Sequence, residues 1–176
     1  MNEITGQLHP DGVRIAIVAA RYNDVVTSRL LSGALSELEK LGVKPAAITV
    51  ARVPGCFELP LAAQKLTATH DAVICLGALV RGETPHFEFI AAETARGIGE
   101  VALATGVPVI FGVLTTNTIA EALERAGGKV GNKGSEAAQA ALEMTDLHRQ
   151  LNTAQKQKAS IAVPEQQIKL LRAGHK

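Results

Sequence analysis

The chain has 176 residues, which is enough for one domain with a sizeable hydrophobic core. Apolar residues make up 47% of the sequence but aromatic residues only 3%, so the core is expected to consist of aliphatic side chains. The formal net charge of +1 excludes the broad basic surface that a nucleic-acid-binding protein needs.

Segments with the patterns of strands and helices alternate along the chain. Short runs of β-branched and small apolar residues predict strands, and apolar positions that recur every three to four residues predict helices. The predicted strands are residues 13–20, 46–53, 72–80 and 108–115, and the predicted helices are residues 25–41, 58–66, 85–104, 118–126 and 135–151. Repeated βα units predict an α/β fold, a three-layer α/β/α sandwich whose parallel four-stranded sheet carries helices on both faces.

The last part of the chain differs in character from the rest. Residues 152–176 are polar and basic, so residues 1–151 are predicted to form the domain and residues 152–176 a mobile C-terminal extension. Within this extension, Pro164 is suited to open a short amphipathic turn that carries Ile168, Leu170 and Leu171.

The number of cysteines and the lack of long apolar runs indicate the cellular location of the protein. Cys56 and Cys75 are too few for a disulfide framework, and Cys75 lies in a predicted buried strand, so a reducing, cytoplasmic location is expected. Residues 1–12 lack the basic start and apolar stretch of a signal peptide, and no apolar run has the length of a membrane span. The protein is therefore not expected to associate with a membrane. The histidines and cysteines show no metal-ligand spacing, so no bound metal is expected either.

The segment that leads out of the third predicted strand carries the strongest functional signal. Thr84 is a good N-cap, Pro85 suits the first helical position, and His86 falls in the first turn. Ligands of parallel α/β sheets bind beyond the carboxyl ends of strands, and helix N-termini bind anions. The positive helix end disfavours an imidazolium, so His86 is expected to be neutral and able to exchange a proton. The alternative is that His86 only satisfies a local hydrogen bond.

Two other strand ends carry candidate ligand contacts. Tyr22 follows the first strand, where its ring is placed to stack on a flat ligand, although ordinary packing is the alternative. After the second strand, Gly55 permits close backbone approach, and Glu58 is placed to accept hydrogen bonds from ligand hydroxyls or to favour a helix N-terminus. Cys56 invites a nucleophile hypothesis that no neighbouring histidine supports.

A glycine-rich segment follows the fourth strand, which is predicted to end near Phe111. Arg125 leads into AGGKVGNKG at 126–134, and glycine beside Arg and Lys suits phosphate, although no P-loop is matched. Residues 97–102 formally fit a dinucleotide fingerprint, but they lie within a predicted helix and follow no strand, so this interpretation is rejected.

Together these segments closely resemble the lumazine synthase family (6,7-dimethyl-8-ribityllumazine synthase), which catalyses the penultimate step of riboflavin biosynthesis. The resemblance covers roughly residues 1–151 with order and spacing intact. It rests on RYN at 21–23, VPGCFELP at 53–60, GALVRGETPHFEFI at 77–90, PVIFGVLT at 108–115 and ERAGGKVGNKGSEAA at 124–138.

The resemblance implies a transferase with a flavodoxin-like fold and no metal or organic cofactor. It implies condensation of 5-amino-6-(D-ribitylamino)uracil with 3,4-dihydroxy-2-butanone 4-phosphate, with release of phosphate and water. It also implies a homo-pentamer with active sites between subunits, and riboflavin synthase is a candidate partner. Because no insertion separates the GGK and GNKG elements, an icosahedral shell of pentamers is expected.

The resemblance also implies residue roles. His86 is the proton-transfer residue, and Glu83 and Thr84 meet the phosphate at the helix start, with Arg125 as its charged partner. Phe111 is expected to reach the site from the adjacent subunit, and Lys133 is similar to a lysine near it. The residues implied to line the pyrimidine and ribityl pocket are Tyr22, Cys56, Phe57, Glu58, Ala78, Leu79 and Val80. Tyrosine is a departure at position 22, where the family more often has Phe or Trp.

Three other functions compete with this one. A non-catalytic flavin- or lumazine-binding protein, or a container of the same fold, would keep the pocket and lose His86 or Arg125, and both are present. A flavodoxin-type FMN protein needs a hydroxyl-rich phosphate loop after the first strand, which residues 21–24 do not provide. Riboflavin synthase is an internally duplicated barrel, and the sequence has no visible repeat.

Overall fold

A central sheet of four parallel strands organises the molecule, for which a computed structural model describes residue 1 and residues 3–161. The strands are β1 (Ile15–Ala20), β2 (Ile48–Val53), β3 (Ala72–Val80) and β4 (Val109–Thr116). Their order is β2-β1-β3-β4, with β2 and β4 at the edges. Because every pair is parallel, the carboxyl ends of all four strands lie along one edge of the sheet.

The helices cover both faces, as the alternating pattern predicts. They are α1 (Asp24–Lys40), α2 (Leu59–Leu66), α3 (His86–Thr105), α4 (Ile119–Glu124) and α5 (Lys133–Ile161). Buried residues of α1, α4 and α5 form one core cluster with the sheet, and those of α2 and α3 form a second cluster on the opposite face. The predicted three-layer α/β/α sandwich is therefore confirmed.

Strand β1 shows why the sequence folds into three layers. All six of its residues are buried, and successive side chains point to opposite faces of the sheet. Ile15 and Ile17 enter the cluster under α1 and α5, whereas Ala16 and Val18 enter the cluster under α2 and α3. A continuous apolar run is what a strand buried on both faces requires.

Several elements differ from the predicted ones. Phe111 lies inside β4 and not at its end. Helix α5 continues through Ile161, beyond the predicted end at Leu151. Two short 3₁₀ turns (Pro45–Ala47 and Cys56–Glu58) and an antiparallel pair, β5 (Ala126–Gly128) with β6 (Gly131–Asn132), were not predicted. The predicted turn at Pro164 lies outside the described residues. None of the described helices combines the length and apolarity that crossing a membrane requires.

The contact between α1 and α5 is close enough to require glycine. A Cβ atom added at Gly134 would lie 1.9 Å from the carbonyl oxygen of Leu30, a backbone atom that cannot swing aside as a flexible side chain can. Two hydrogen bonds join the same surfaces: Ser135 Oγ donates to the Gly33 carbonyl oxygen at 3.0 Å, and Asn132 Nδ2 donates to the Arg29 carbonyl oxygen at 3.0 Å.

We expect Gly134→Ala to lower the free energy of unfolding by about 1–3 kcal/mol or more, because backbone must shift to accept the methyl group. Gly99→Ala in α3 is a matched control, since a Cβ there meets no atom within 4 Å. That control should gain about 0.5–1 kcal/mol from the better helix propensity of alanine. Urea denaturation of both variants measures the difference, and equal stabilities would contradict the prediction.

Candidate active site

The carboxyl ends of β1, β2 and β3 border a cavity of about 440 Å³ that reaches the start of α3. Its volume lies within the range of roughly 300–1,000 Å³ that is usual for ligand pockets. Nine residues from the predicted site line it: Tyr22, Cys56, Phe57, Glu58, Ala78, Leu79, Val80, Thr84 and His86. Sequence reasoning did not name Asn23, Phe87 and Ile90, which line it as well.

The turn after β1 places the tyrosine ring at the mouth of this cavity. Asn23 adopts the left-handed conformation, with φ of 59°, and its Nδ2 donates to the Ala78 carbonyl oxygen at 2.8 Å. The ring of Tyr22 lies against Gly55, where an added Cβ would approach it to 2.9 Å. Tyr22 remains 68% exposed, so its ring face is available to a flat ligand. Asparagine tolerates the left-handed conformation, and this is the signal that could have identified Asn23.

The turn after β2 is closed by the acidic residue of the site. The carboxylate Oε2 of Glu58 accepts a hydrogen bond from the backbone N–H of Gly55 at 2.9 Å. Glu58 thus supports the turn while it also faces the cavity.

Cys56 has the properties of a packing residue and not those of a nucleophile. It is only 4% exposed, and its sulfur lies so close to β3 that a Cβ at Gly77 would approach it to 2.5 Å. Burial raises the pKa of the Cys56 thiol to about 11. The thiolate, which is the reactive form, is therefore scarce near neutral pH.

The start of α3 brings His86 to the cavity in a slightly different way from the prediction. Pro85 and not Thr84 is the N-cap, and the helix begins without a side-chain cap because proline carries no hydrogen-bonding group. The first N–H groups of α3 therefore remain available to an anion. Thr84 and His86 both face the cavity from this exposed segment.

Three of the remaining predicted residues lie around a second cavity, and the fourth, Glu83, lines neither cavity. Phe111, Arg125 and Lys133 line a space of about 490 Å³ between β4 and the start of α5. Arg125 donates from Nη1 to the Glu121 carbonyl oxygen at 2.9 Å, and Lys133 is paired with Glu136 at 2.6 Å. The single chain therefore divides the predicted residues into two groups. Neither group alone unites His86 with Arg125.

Among the described residues, no cluster of His, Cys, Asp or Glu is arranged to hold a metal ion. The chemistry that this edge of the sheet offers is aromatic stacking, hydrogen bonding by strand-end backbone, anion binding at a helix start and proton exchange at an imidazole.

Comparison with known proteins agrees with this arrangement. Residues 12–149 match the family model described as 6,7-dimethyl-8-ribityllumazine synthase. The chain is also 54% identical over 148 residues to the 6,7-dimethyl-8-ribityllumazine synthase of Syntrophus aciditrophicus (strain SB). That match covers 83% of this chain and 96% of the relative. On both grounds the chain belongs to the 6,7-dimethyl-8-ribityllumazine synthase family.

Proposed function

We propose that the cavity beyond β1, β2 and β3 is where this transferase of riboflavin biosynthesis forms 6,7-dimethyl-8-ribityllumazine. One observation carries the proposal: a single cavity gathers Tyr22, Glu58 and His86, three side chains suited to stacking, hydroxyl binding and proton exchange. The substrates are 5-amino-6-(D-ribitylamino)uracil and 3,4-dihydroxy-2-butanone 4-phosphate. No cofactor takes part in the proposed reaction.

Each group of the first cavity has a task in holding the pyrimidine substrate. The ring of Tyr22 stacks on the pyrimidine, and the strand-end backbone of residues 78–80 offers hydrogen bonds to the edge of that ring. Phe57 and Glu58 face the ribityl chain, where the carboxylate accepts hydrogen bonds from hydroxyls. Cys56 closes the floor as a small apolar side chain.

The phosphate of the second substrate binds at the start of α3. The uncapped N–H groups there favour an anion, and the Thr84 hydroxyl faces the same space. Glu83 contributes through its backbone, since its carboxylate would repel a phosphate. Arg125 of a neighbouring subunit supplies the countercharge, with Lys133 close to it.

The reaction then proceeds through steps that each move a proton. The amine of the pyrimidine attacks the ketone, and the carbinolamine loses water to give an imine. Elimination of phosphate, ring closure and a second loss of water follow. His86 lies where it can accept and return these protons, and the enclosure of both substrates supplies proximity.

A ring of subunits would bring the two cavities together. Phe57, Phe89 and Phe111 are 58%, 66% and 45% exposed, which is unusual for side chains of this size. A contact that joins the first cavity of one subunit to the second cavity of the next is head-to-tail, and such contacts form a ring when the rotation between subunits closes. We therefore propose a pentamer with shared sites, located in the cytoplasm, with riboflavin synthase as a candidate partner.

We further propose that pentamers assemble into an icosahedral shell. The tight β5–β6 connection carries no insertion that would block the contact between pentamers. Light scattering on the purified protein should give the mass of a particle many times larger than a pentamer of 18.4 kDa chains. A solution that contains only lone pentamers would contradict the shell.

A rate assay tests the proposed reaction directly. Purified protein is mixed with both substrates, and the fluorescence of the lumazine product is followed against the uncatalysed condensation. A rate above that background supports the enzyme. A rate equal to background, in a protein that still binds riboflavin-like ligands, would favour the alternative of a binding or container protein.

We expect His86→Ala to lower turnover but not to abolish it. A positioned acid-base group typically contributes about 10²–10⁴-fold to the rate, while the proximity of the bound substrates remains in the variant. The same fluorescence assay measures kcat, and an unchanged melting temperature shows that the fold is intact. A loss of more than about four decades would contradict this division between proximity and proton transfer.

A further inference from the structure

The side chain of Arg81 joins three segments beside Val80, Gly82 and Phe87, which line the first cavity. Arg81 directly follows β3, and its backbone N–H donates to the Thr116 carbonyl oxygen at 2.9 Å. Its Nε donates to Asn117 Oδ1 at 3.1 Å, in the loop after β4. Its Nη1 donates to Glu88 in the first turn of α3, and its guanidinium carbon lies 4.4 Å from the centroid of the Phe87 ring.

These contacts enclose the loop of residues 82–85, which leads from β3 to His86. The loop is exposed, and α3 begins without a side-chain cap. Within the described part of the chain, the side-chain hydrogen bonds that tie the first turn of α3 to the strand ends come from Arg81. This one guanidinium therefore adds a polar link between the first turn of α3, where His86 lies, and the strand ends, beside the apolar packing of Ile90 and Ile98.

The charge of Arg81 is already matched within the subunit. The hydrogen bond from Arg81 lowers the pKa of the Glu88 carboxyl, so Glu88 stays ionised and paired through the neutral range. Asn117 and Glu88 already take hydrogen bonds from Nε and Nη1 of this guanidinium, its face lies near the Phe87 ring, and the Glu88 carboxylate compensates its charge. Its contacts thus favour a role in geometry over direct contact with substrate.

We propose that Arg81 is a positioning residue, which holds His86 and the phosphate-binding loop at a fixed place against the end of β3. The inference rests on the proposed function of this cavity. It predicts a large effect on rate and a small effect on stability. The Arg81 and Glu88 side chains are 45% and 50% exposed, and exposed ion pairs add little to folding stability. A displacement of reacting groups by about 1 Å, in contrast, costs on the order of 10²-fold in rate.

The test compares Arg81→Ala, Glu88→Ala and the double variant with a matched control on the same helix. Arg96 also forms exposed ion pairs, with Glu93 and Glu100, but both partners belong to α3, so these pairs do not tie the helix to the strand ends. We expect kcat to fall about 10–10²-fold in each single variant, with the melting temperature within about 3 °C of the unmutated protein. The double variant should lose no more than the worse single variant, because both remove one linkage.

The control and a conservative variant sharpen this expectation. Arg96→Ala should keep the full rate. Arg81→Lys should recover little, since an ammonium group is a point charge that lacks the planar fork needed to hold Glu88 and Asn117 together.

Three results would overturn the proposal. The first is an Arg81→Ala rate within about twofold of the unmutated protein. The second is a loss in Arg81→Ala with a full rate in Glu88→Ala, which would mean that Arg81 acts on the substrate itself. The third is a fall in melting temperature that accounts for the lost rate, which would make the role purely structural.

A second measurement separates this inference from the proposed reaction. If the unmutated protein does not exceed the uncatalysed rate, the proposed function fails. The positioning role of Arg81 is then tested by the binding of inorganic phosphate, measured as a rise in melting temperature. Excess phosphate should raise the melting temperature of the unmutated protein and of Arg96→Ala, and should raise that of Arg81→Ala less. Equal rises in all three proteins would overturn the positioning role even then.

Discussion

Arg125→Ala should lower kcat/KM for the butanone phosphate about 10²-fold, because the charged hydrogen-bond partner that we propose for the phosphate is lost. The effect should appear in the KM for this substrate and leave the KM for the pyrimidine nearly unchanged. This selectivity follows from the structure, in which Arg125 lies with Phe111 and Lys133 and away from the cavity assigned to the pyrimidine. Initial rates with each substrate varied in turn measure both constants.

Two controls separate the charge of Arg125 from its structural contact. Arg125 donates to the Glu121 carbonyl oxygen at the end of α4, so the melting temperature of the variant must be compared with that of the unmutated protein. Lys133→Ala removes a neighbouring cation that is already paired with Glu136, and its effect should be smaller. An equal rise of both KM values in Arg125→Ala would contradict a phosphate-specific role.

The fold could be predicted because local pattern and tertiary structure agree. The apolar run of β3 is buried over its first seven residues, as its uncharged sequence indicates. The pattern could not mark the end of α5, however. Residues 152–161 carry no apolar stripe, yet alanine, lysine and glutamine favour a helix by intrinsic propensity alone. The β5–β6 pair was missed because elements of three and two residues are too short to show any period.

The sequence identified most of the residues that line the first cavity, but not how the site residues are arranged in space. Strand ends identified the lining of the first cavity, since they must meet at one edge of a parallel sheet. The contacts of Arg81 depend on long-range pairing with Asn117, which a single sequence does not reveal. The separation of Arg125 from His86 likewise follows from strand order, because β4 lies at the edge and carries the α4 segment away from the cavity.

At a butanone phosphate concentration well below the KM of the Arg125→Ala variant, mixed assemblies of His86→Ala and Arg125→Ala subunits should reach a rate that neither variant reaches alone. We propose that each site joins the first cavity of one subunit to the second cavity of its neighbour. Where the first cavity belongs to an Arg125→Ala subunit and the second to a His86→Ala subunit, the site then contains both His86 and Arg125. Equal mixing places both intact halves at about a quarter of all contacts, so about a quarter of the unmutated activity should return. Co-expression with two different affinity tags, followed by tandem purification, yields the mixed assemblies.

A second mixture of variants tests whether recovery requires the two mutated residues to lie in different cavities. His86 and Glu58 line the same cavity, so in a mixture of His86→Ala and Glu58→Ala subunits every first cavity lacks one of the two side chains. That mixture should therefore be no more active than its components. No recovery with Arg125→Ala would show that sites are complete within one chain, and recovery in the mixture with Glu58→Ala would show that His86 and Glu58 of one subunit do not serve the same site. The single chain argues for the shared arrangement, because its own fold keeps His86 and Arg125 in separate cavities.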